Sequence, residues 1–361
     1  MKVAVYAIAL NEDKHVKRWY ESSKEADYHI IADTGSTDKT VEFARQLGIT
    51  VHSISVKPWR FDDARNAALA LVPADADYCI ILDMDEVLSP GWRDELQKAY
   101  DAGGITRPQH WIVTDWTEDG KPGVTFKANR IHARQNYRWK YPIHEVITPY
   151  QLEKETTIDI NLEVWHKADP NKSRAQYLDM LAAAYDESPT DSRVLYYYGR
   201  ELFYRGKFLE SKAVFEEYLK YTQFPAEKGY ALRYLAKCDP KNAEEHLLQG
   251  IETFTCRESV LALANHYYIM KQWPECRVAA KDGLSITENV NTFMSEAWAW
   301  GHMGYDLVAI SAWQLGDWEE AYEYGKLALE KCNAEKDRER LESNLKFYKE
   351  KLDANIRSDG G

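Results

Sequence analysis

Tyr78-Cys-Ile-Ile-Leu-Asp83-Met-Asp-Glu86 is a short apolar run that ends abruptly in acidic side chains. Such a run reads as a strand covered on both faces, and carboxylates at its end cannot both point into the apolar layers. Toward the N-terminus the same rhythm repeats, with strand-like stretches at Val3 to Ala9, Tyr28 to Ala32 and Thr50 to Ser55. Each is followed by a helical period, at Asp13 to Ser23, Thr40 to Leu47 and Asp62 to Leu71. A βαβαβαβ series predicts a mostly parallel sheet with helices on both faces, whose ligands gather beyond the carboxyl ends of the strands. The polar stretches directly after strands, Asp33-Thr-Gly-Ser-Thr-Asp38 and Asp83-Met-Asp-Glu86, are therefore the candidates for chemistry.

Beyond Gly103 the pattern changes to aromatic-rich, strand-like stretches at Trp111 to Trp116, Gly123 to Ile131, Tyr137 to Tyr141 and Thr156 to Trp165. Glu118-Asp119-Gly120-Lys121 has the chemistry of a hairpin turn. Ala168-Asp169-Pro170-Asn171 then supplies a turn, and from Lys172 onward apolar residues fall at helical spacing. The second half repeats itself: the segments around Gly206 and Gly316 both read as helix, glycine turn, aromatic, helix. Weaker turns at Cys238 and Lys271 divide the interval into steps of 32, 33 and 45 residues. The first two steps approach the tetratricopeptide period of about 34 residues, and the third implies an insertion around Trp298 to Tyr305. The expected architecture is an α/β domain over residues 1–170 and an all-α, tetratricopeptide-like solenoid with a concave side over 171–361.

The 361 residues carry a net charge of −12 with 45% apolar and 13% aromatic residues, the composition of a folded acidic protein. That balance disfavours bulk binding to polyanions. The cysteines, Cys79, Cys238, Cys256, Cys276 and Cys332, are odd in number and lack Cys-x-x-Cys spacing. They predict neither a disulfide framework nor a zinc knuckle, and a cytoplasmic location fits best. Val3 to Leu10 leads into Asn11-Glu12-Asp13 instead of a cleavage site, and no apolar run reaches the roughly 18 residues of a membrane-spanning helix. No Gly-x-Gly-x-x-Gly follows the first strand and no Walker sequence occurs, which argues against dinucleotide dehydrogenases and P-loop enzymes.

Paired carboxylates in a crevice are best tolerated when a divalent cation neutralises them. The same acids would also serve simply as strand-end and helix-cap residues, so the surroundings decide. Asn11-Glu12, Asp33-Thr-Gly-Ser-Thr-Asp-Lys-Thr40, Phe61-Asp-Asp-Ala-Arg-Asn-Ala-Ala-Leu69 and Leu82-Asp-Met-Asp-Glu86 together resemble the family 2 glycosyltransferases, whose Rossmann-like nucleotide-binding half is called the A-type fold. The likeness continues through Tyr137-Arg-Trp-Lys-Tyr-Pro-Ile-His-Glu145, Val164-Trp-His166, Asn171-Lys-Ser-Arg174 and Leu195-Tyr-Tyr-Tyr-Gly-Arg-Glu-Leu202. This resembles the branch with a C-terminal tetratricopeptide domain that includes peptide S-glycosyltransferases of the sublancin type.

The resemblance implies a metal-dependent, inverting transfer of a hexose from a nucleotide diphosphate sugar, a UDP-sugar first, with Mn²⁺ or Mg²⁺. It implies Asp33 on the base, the backbone at Ile8 and Ala9 beside the nucleoside, Arg65 on the diphosphate or base, and Asp83 and Met84 along the nucleotide. Asp83, Asp85 and His166 become the metal residues, and Glu145 with His144 the catalytic pair, His144 and His166 being interchangeable in this assignment. Arg65 would otherwise be a helix-surface arginine paired with Asp62. Asp38 and Thr37 are expected to cap the second helix, and Gly103-Gly104 to end a helix or hinge a loop. The acceptor is expected to be macromolecular: a peptide or protein side chain first, with a lipopolysaccharide core sugar or a hydroxymethylated DNA base as alternatives. Lys127, Arg130, Arg134, Arg138 and Lys140 form a basic cluster that would suit DNA, or a solvated strand face. A reading from another class is a non-catalytic adaptor whose repeats bind a peptide.

Overall fold

The computed structural model describes the chain apart from residues 115, 117–121, 124, 153, 168–175, 290–294, 334, 360 and 361. The expected turns at 118–121 and 168–171, the 170/171 boundary and the Asn171 to Arg174 motif thus lie outside the described residues. The chain divides into two compact units, Met1–Pro189 and Thr190–Gly361.

In the first unit, strands and helices alternate as β1 (Val3–Ala9), α1 (Asp13–Ser23), β2 (Tyr28–Asp33), α2 (Thr40–Gln46), β3 (Thr50–Ser53), α3 (Phe61–Ala70) and β4 (Tyr78–Ile81). Then follow β5 (Glu86–Leu88), α4 (Trp92–Asp101), β6 (Arg107–Val113), β7 (Thr125–Ala128), β8 (Ile131–Ala133), β9 (Tyr137–Lys140), β10 (Val146–Pro149), β11 (Thr157–His166) and α5 (Tyr177–Glu187). The first sheet runs β3-β2-β1-β4-β8, parallel except for β8 on the edge. A second sheet runs β5-β11-β6-β7, and β9 pairs with β10 as an antiparallel ribbon.

β1 is apolar throughout because both of its faces are covered. Val3, Val5 and Ala7 lie with Val16 and Trp19 of α1, whereas Ala4 and Tyr6 lie with Ala68 and Leu69 of α3 and Trp139 of β9. After β1 the chain builds outward through β2 and β3, then returns to the other side of β1 as β4. The carboxyl ends of β1 and β4 therefore flank a topological switch point, where open α/β sheets bind their ligands. Leu82 follows β4 there, and its carbonyl accepts the buried indole N–H of Trp19 at 2.8 Å.

The stretch Gly123 to Ile131, which reads as one strand, is divided between β7 of the second sheet and β8 of the first. The chain changes sheet at Asn129-Arg130, so Arg130 arrives beside the end of β4, where its carbonyl accepts the Ile81 N–H at 3.3 Å. Gly103 and Gly104 have φ values of 75° and 67° just after α4, the geometry of a helix C-cap. The helix α5 belongs to this unit, where Glu187 pairs with Arg60 at 2.7 Å.

The second unit is a succession of helical hairpins: α6 (Ser192–Tyr204) with α7 (Phe208–Tyr221), α8 (Pro225–Cys238) with α9 (Ala243–Thr253), and α10 (Arg257–Ile269) with α11 (Trp273–Ser285). They continue as α12 (Met303–Gln314) with α13 (Trp318–Glu330) and a final α14 (Glu335–Asp359). Each helix buries its apolar stripe against its neighbours, as Leu263 and Ala264 of α10 do with Cys276 and Ala280 of α11 and Val308 of α12. The expected turns at Gly206, Cys238, Lys271 and Gly316 all fall at joins between paired helices, and the expected insertion is the long connection 286–302. Among the described residues no helix is long and apolar enough to cross a membrane. All five cysteines are buried and unbridged.

Three of those joins use a left-handed residue: Gly206 (φ 72°), Lys271 (φ 58°) and Gly316 (φ 81°). A Cβ there crowds its own backbone, at a cost of about 1 kcal/mol. Lys271→Gly is therefore expected to stabilise the chain by up to about 1 kcal/mol and Gly206→Ala to destabilise it by a similar amount. Denaturant melts of the two variants check this, and shifts of equal sign contradict it.

Candidate functional site

The turn that joins β4 to β5 carries the acidic cluster, and two guanidinium groups organise it. Arg65 Nη1 lies 2.8 Å from Asp83 Oδ1. Arg130 Nη1 lies 3.2 Å from Asp83 Oδ2 and donates to both oxygens of Glu86, at 2.8 and 2.9 Å. Glu86 Oε2 in turn accepts the Asp83 N–H at 2.9 Å. Burial pushes the Glu86 carboxyl above its ordinary range, and the charge of Arg130 opposes that shift.

Arg65 is 6% exposed on α3 and connects two distant segments. Besides Asp83 it reaches Glu145, donating from Nε to Oε1 at 2.5 Å, and its guanidinium lies over the Trp139 ring at 5.1 Å. Burial works against the arginine's charge, but Asp83 and Glu145 more than offset it and the pKa is raised. The neighbouring Asn66 clasps the Trp139 peptide, donating to its carbonyl at 3.0 Å and accepting its N–H at 2.8 Å. The alternative, a surface pair with Asp62, is not what forms, since Asp62 accepts from Arg60 instead. Arg65→Met would leave Asp83 and Glu145 without their shared cation. The expected loss is about 3 kcal/mol, low in the range for buried pairs because water still reaches Asp83. Thermal unfolding measures it, and an unchanged midpoint would contradict the bridging role.

Beneath Arg65 runs a chain of buried hydrogen bonds. The Trp139 indole donates to Tyr6 Oη at 2.9 Å, Tyr6 Oη meets His132 Nε2 at 3.2 Å, and His132 Nδ1 meets the Ala133 carbonyl at 2.8 Å. Since a carbonyl only accepts, Nδ1 carries the proton and Nε2 accepts from Tyr6, so the imidazole is neutral. Burial holds His132 down to about 4 and His110, in β6, down to about 3. The unfolded chain takes up protons below about pH 6.5 that the folded chain refuses, so stability present above that pH is lost as pH falls toward 4. Urea midpoints across that window should decline, and a flat profile from pH 7 to 5 would exclude this linkage.

Glu145 closes a turn between β9 and β10 in which Tyr141 and His144 have φ values of 78° and 52°. Left-handed non-glycine residues cost about 1 kcal/mol or more each and persist only where surrounding contacts impose them. One such contact is the Phe61 N–H at the start of α3, which donates to the Pro142 carbonyl at 3.0 Å. The His144 ring makes an edge contact with Tyr177 at 6.2 Å, so the adjacent His144 and Glu145 have different neighbours.

Asp85 is buried on the other side of the turn. His166, at the end of β11 and in register with Glu86, brings Nε2 to 3.6 Å from Asp85 Oδ2. The Asp85 carboxylate beside it, with the charges of the neighbouring acids, raises the imidazole pKa against its burial. One oxygen and one nitrogen donor thus face each other, a set that suits a divalent cation taking its other ligands from a substrate or water. Asp83, expected with them, is engaged by the two arginines. Among the described residues no group of three or more His, Cys, Asp or Glu side chains is placed to hold a metal.

Ile8, Ala9 and Asp33 meet at the carboxyl ends of β1 and β2, with Ala9 and Asp33 in register. Asp33 accepts the N–H groups of Gly35 and Ser36 at 3.1 and 3.2 Å, which shapes its loop. Asp38 accepts from the Thr40 N–H at 2.9 Å at the start of α2. The Ala9 carbonyl accepts both the N–H and the hydroxyl of Thr34. Met84, expected along the nucleotide, has its side chain in the core, so only its backbone faces the turn's chemistry.

The basic cluster is not a continuous face. Arg130 serves Asp83 and Glu86, Arg134 donates to the Val72 carbonyl, and Lys127 pairs with Asp159. Arg138 and Lys140 remain exposed on β9. Sequence reading missed the part Arg130 plays; the available signal was the polar Asn129-Arg130 break between two apolar stretches.

The pattern of Glycosyl transferase family 2 matches residues 5–155. An uncharacterized glycosyltransferase of Rickettsia bellii (strain RML369-C) is 35% identical over 97 residues, and one of Rickettsia typhi (strain ATCC VR-144 / Wilmington) is 33% identical over the same length. Each match covers 27% of this chain and 32% of the relative, so the chain spans about a third of the length of the curated relatives it matches. Among solved structures, MamA is 16% identical over 43% of this chain and 85% of its own, with a TM-score of 0.36. A thermophilic TPR protein of Thermus thermophilus is 16% identical over 46% of this chain and 88% of its own, also at 0.36. The switch-point turn and its acidic cluster lie inside the span, residues 5–155, that is similar to Glycosyl transferase family 2.

Proposed function

We propose that the N-terminal unit transfers a hexose from a nucleotide diphosphate sugar, most simply a UDP-sugar, to a macromolecular acceptor. The observation that carries this reading is the Asp83-to-Glu86 turn at the switch point, tied through Arg65 to Glu145 and faced by His166. In this reading Asp33 and the backbone at Ile8 and Ala9 border the nucleoside, while Asp83 and the Met84 backbone line the ribose and diphosphate. Arg65 orients Asp83 and Glu145 toward a common reacting centre. Glu145, held through Oε1, uses Oε2 to take the proton from the attacking acceptor group. His144 is the alternative base. Asp85 and His166 would hold Mn²⁺ or Mg²⁺, which when bound supplies positive charge for the leaving diphosphate.

The inward engagement of Arg130 and Arg134, with Lys127 neutralised by Asp159 at the surface, disfavours DNA and supports a peptide or protein acceptor. The likeness of the Tyr137 to Glu145 and Leu195 to Leu202 motifs to the sublancin-type peptide S-glycosyltransferases points the same way. The test is a screen of the full chain with nucleotide sugars and Mn²⁺ for release of the nucleotide. Release with one donor supports the reading, and none with any donor favours a peptide-binding adaptor.

A further inference from the structure

In the second unit, the long connection between α11 and α12 does not hang free. In residues 295–300, the short turn of 3-10 helix at Ala297–Trp300 packs against α10 and α12, and Glu296 reaches side chains of α8. Arg233 Nη2 donates to Glu296 Oε2 at 3.0 Å, and the Tyr230 hydroxyl donates to Glu296 Oε1 at 2.9 Å. Glu258 Oε1 accepts both the Glu296 N–H at 3.2 Å and the Trp300 indole N–H at 2.9 Å, and the Arg257 guanidinium lies over the Trp300 ring at 4.7 Å.

These contacts are those of peptide recognition. A side-chain carboxylate is gripped at both oxygens, a main-chain N–H is read by an acceptor, and an indole is held by its N–H and its ring face. The gripping side chains contribute charge to helix faces that stack by apolar contact, where buried charge is costly unless it meets a partner. Arg233, Arg257 and Glu258 are all more than nine-tenths buried. Glu258 and Arg257 meet Trp300 of this segment, while Arg233 divides its guanidinium between Glu296, through Nη2, and Ser259 Oγ at 3.4 Å, through Nη1. Arg257 also keeps a buried Nε with no hydrogen-bond partner, one donor more than the segment satisfies.

We propose that the face formed by α8 and α10 is a peptide-binding site, and that residues 295–300 are its resident, displaceable occupant. The partner is a peptide with a carboxylate side chain and, four residues on across a 3-10 turn, an indole, which displaces the segment by reproducing its contacts. A segment tethered this closely competes at an effective concentration of about millimolar, so an outside peptide binds poorly until the segment is released. The inference concerns binding in the second unit and does not depend on the transfer reading of the first.

The probe is a fluorescent peptide with the sequence of residues 295–301, Ser-Glu-Ala-Trp-Ala-Trp-Gly, titrated into the full chain. The double variant Glu296→Gln with Trp300→Ala is expected to bind it about tenfold or more tightly than the unaltered chain, and adding Arg233→Met should remove that gain. A double variant that melts normally yet binds no better would overturn the proposal, because the segment would then be a fixed part of the fold. Should the double variant not fold, amide exchange in the unaltered chain decides. A displaceable segment exchanges the Glu296 N–H at least a hundredfold faster than the interior amides of α8 and α10, and equal protection overturns the proposal.

Discussion

Asp85→Ala is expected to lower sugar transfer by more than about three orders of magnitude and to remove metal-dependent nucleotide binding. Asp85 is one of two donor groups that face each other across the turn, and removing a carboxylate from so small a set leaves the cation little hold. The fold should lose only about 1–2 kcal/mol, the worth of a charge-assisted contact with His166. Nucleotide release in the presence of Mn²⁺, measured beside a thermal melt, separates the two effects. Full activity with the metal present would remove Asp85 from the metal site.

Glu145→Gln carries the second large effect, and its size depends on the acceptor. A hydroxyl has a pKa far above neutrality, so losing the base should cost about two to four orders of magnitude in turnover with donor affinity nearly unchanged. A thiol ionises more readily at neutral pH, and the same change should cost much less. Because Glu145 also anchors Arg65, which holds Asp83, a glutamine that keeps the hydrogen bond through its amide oxygen is the conservative probe. If it destroyed donor binding instead, Glu145 would belong to the nucleotide shell and His144 would become the candidate base.

The parallel sheet was legible because strands covered on both faces need continuous apolar runs, and β1, β2 and β4 have them. The positions of Asp33, Asp83 and Asp85 followed from the same reasoning, since each comes directly after such a run. The hairpin joins were legible at Gly206 and Gly316, where glycine marks the left-handed turn, and harder to see at Lys271, which adopts the same conformation despite its Cβ.

What pairing decides was not legible. The partners of Arg130 depend on the chain changing sheets two residues after β7, and no local pattern distinguishes that from a bend in one strand. The same holds for Arg65, whose partners lie 18 and 80 positions away on β4's turn and beyond β9. Its place on a helix left a surface pair with Asp62 as the alternative to a role at the diphosphate or base, and neither reading named Asp83 or Glu145 as its partners. The insertion before α12 showed in the 45-residue step, but its contacts with Arg233 and Glu258 are a property of the folded chain alone.

The most direct test of the donor site is a crystal structure of the full chain with UDP and Mn²⁺. The account predicts the nucleotide across the carboxyl ends of β1, β2 and β4, with its base at Asp33 and the cation on Asp85 and His166. A nucleotide bound elsewhere, or a cation that touches neither Asp85 nor His166, would contradict it.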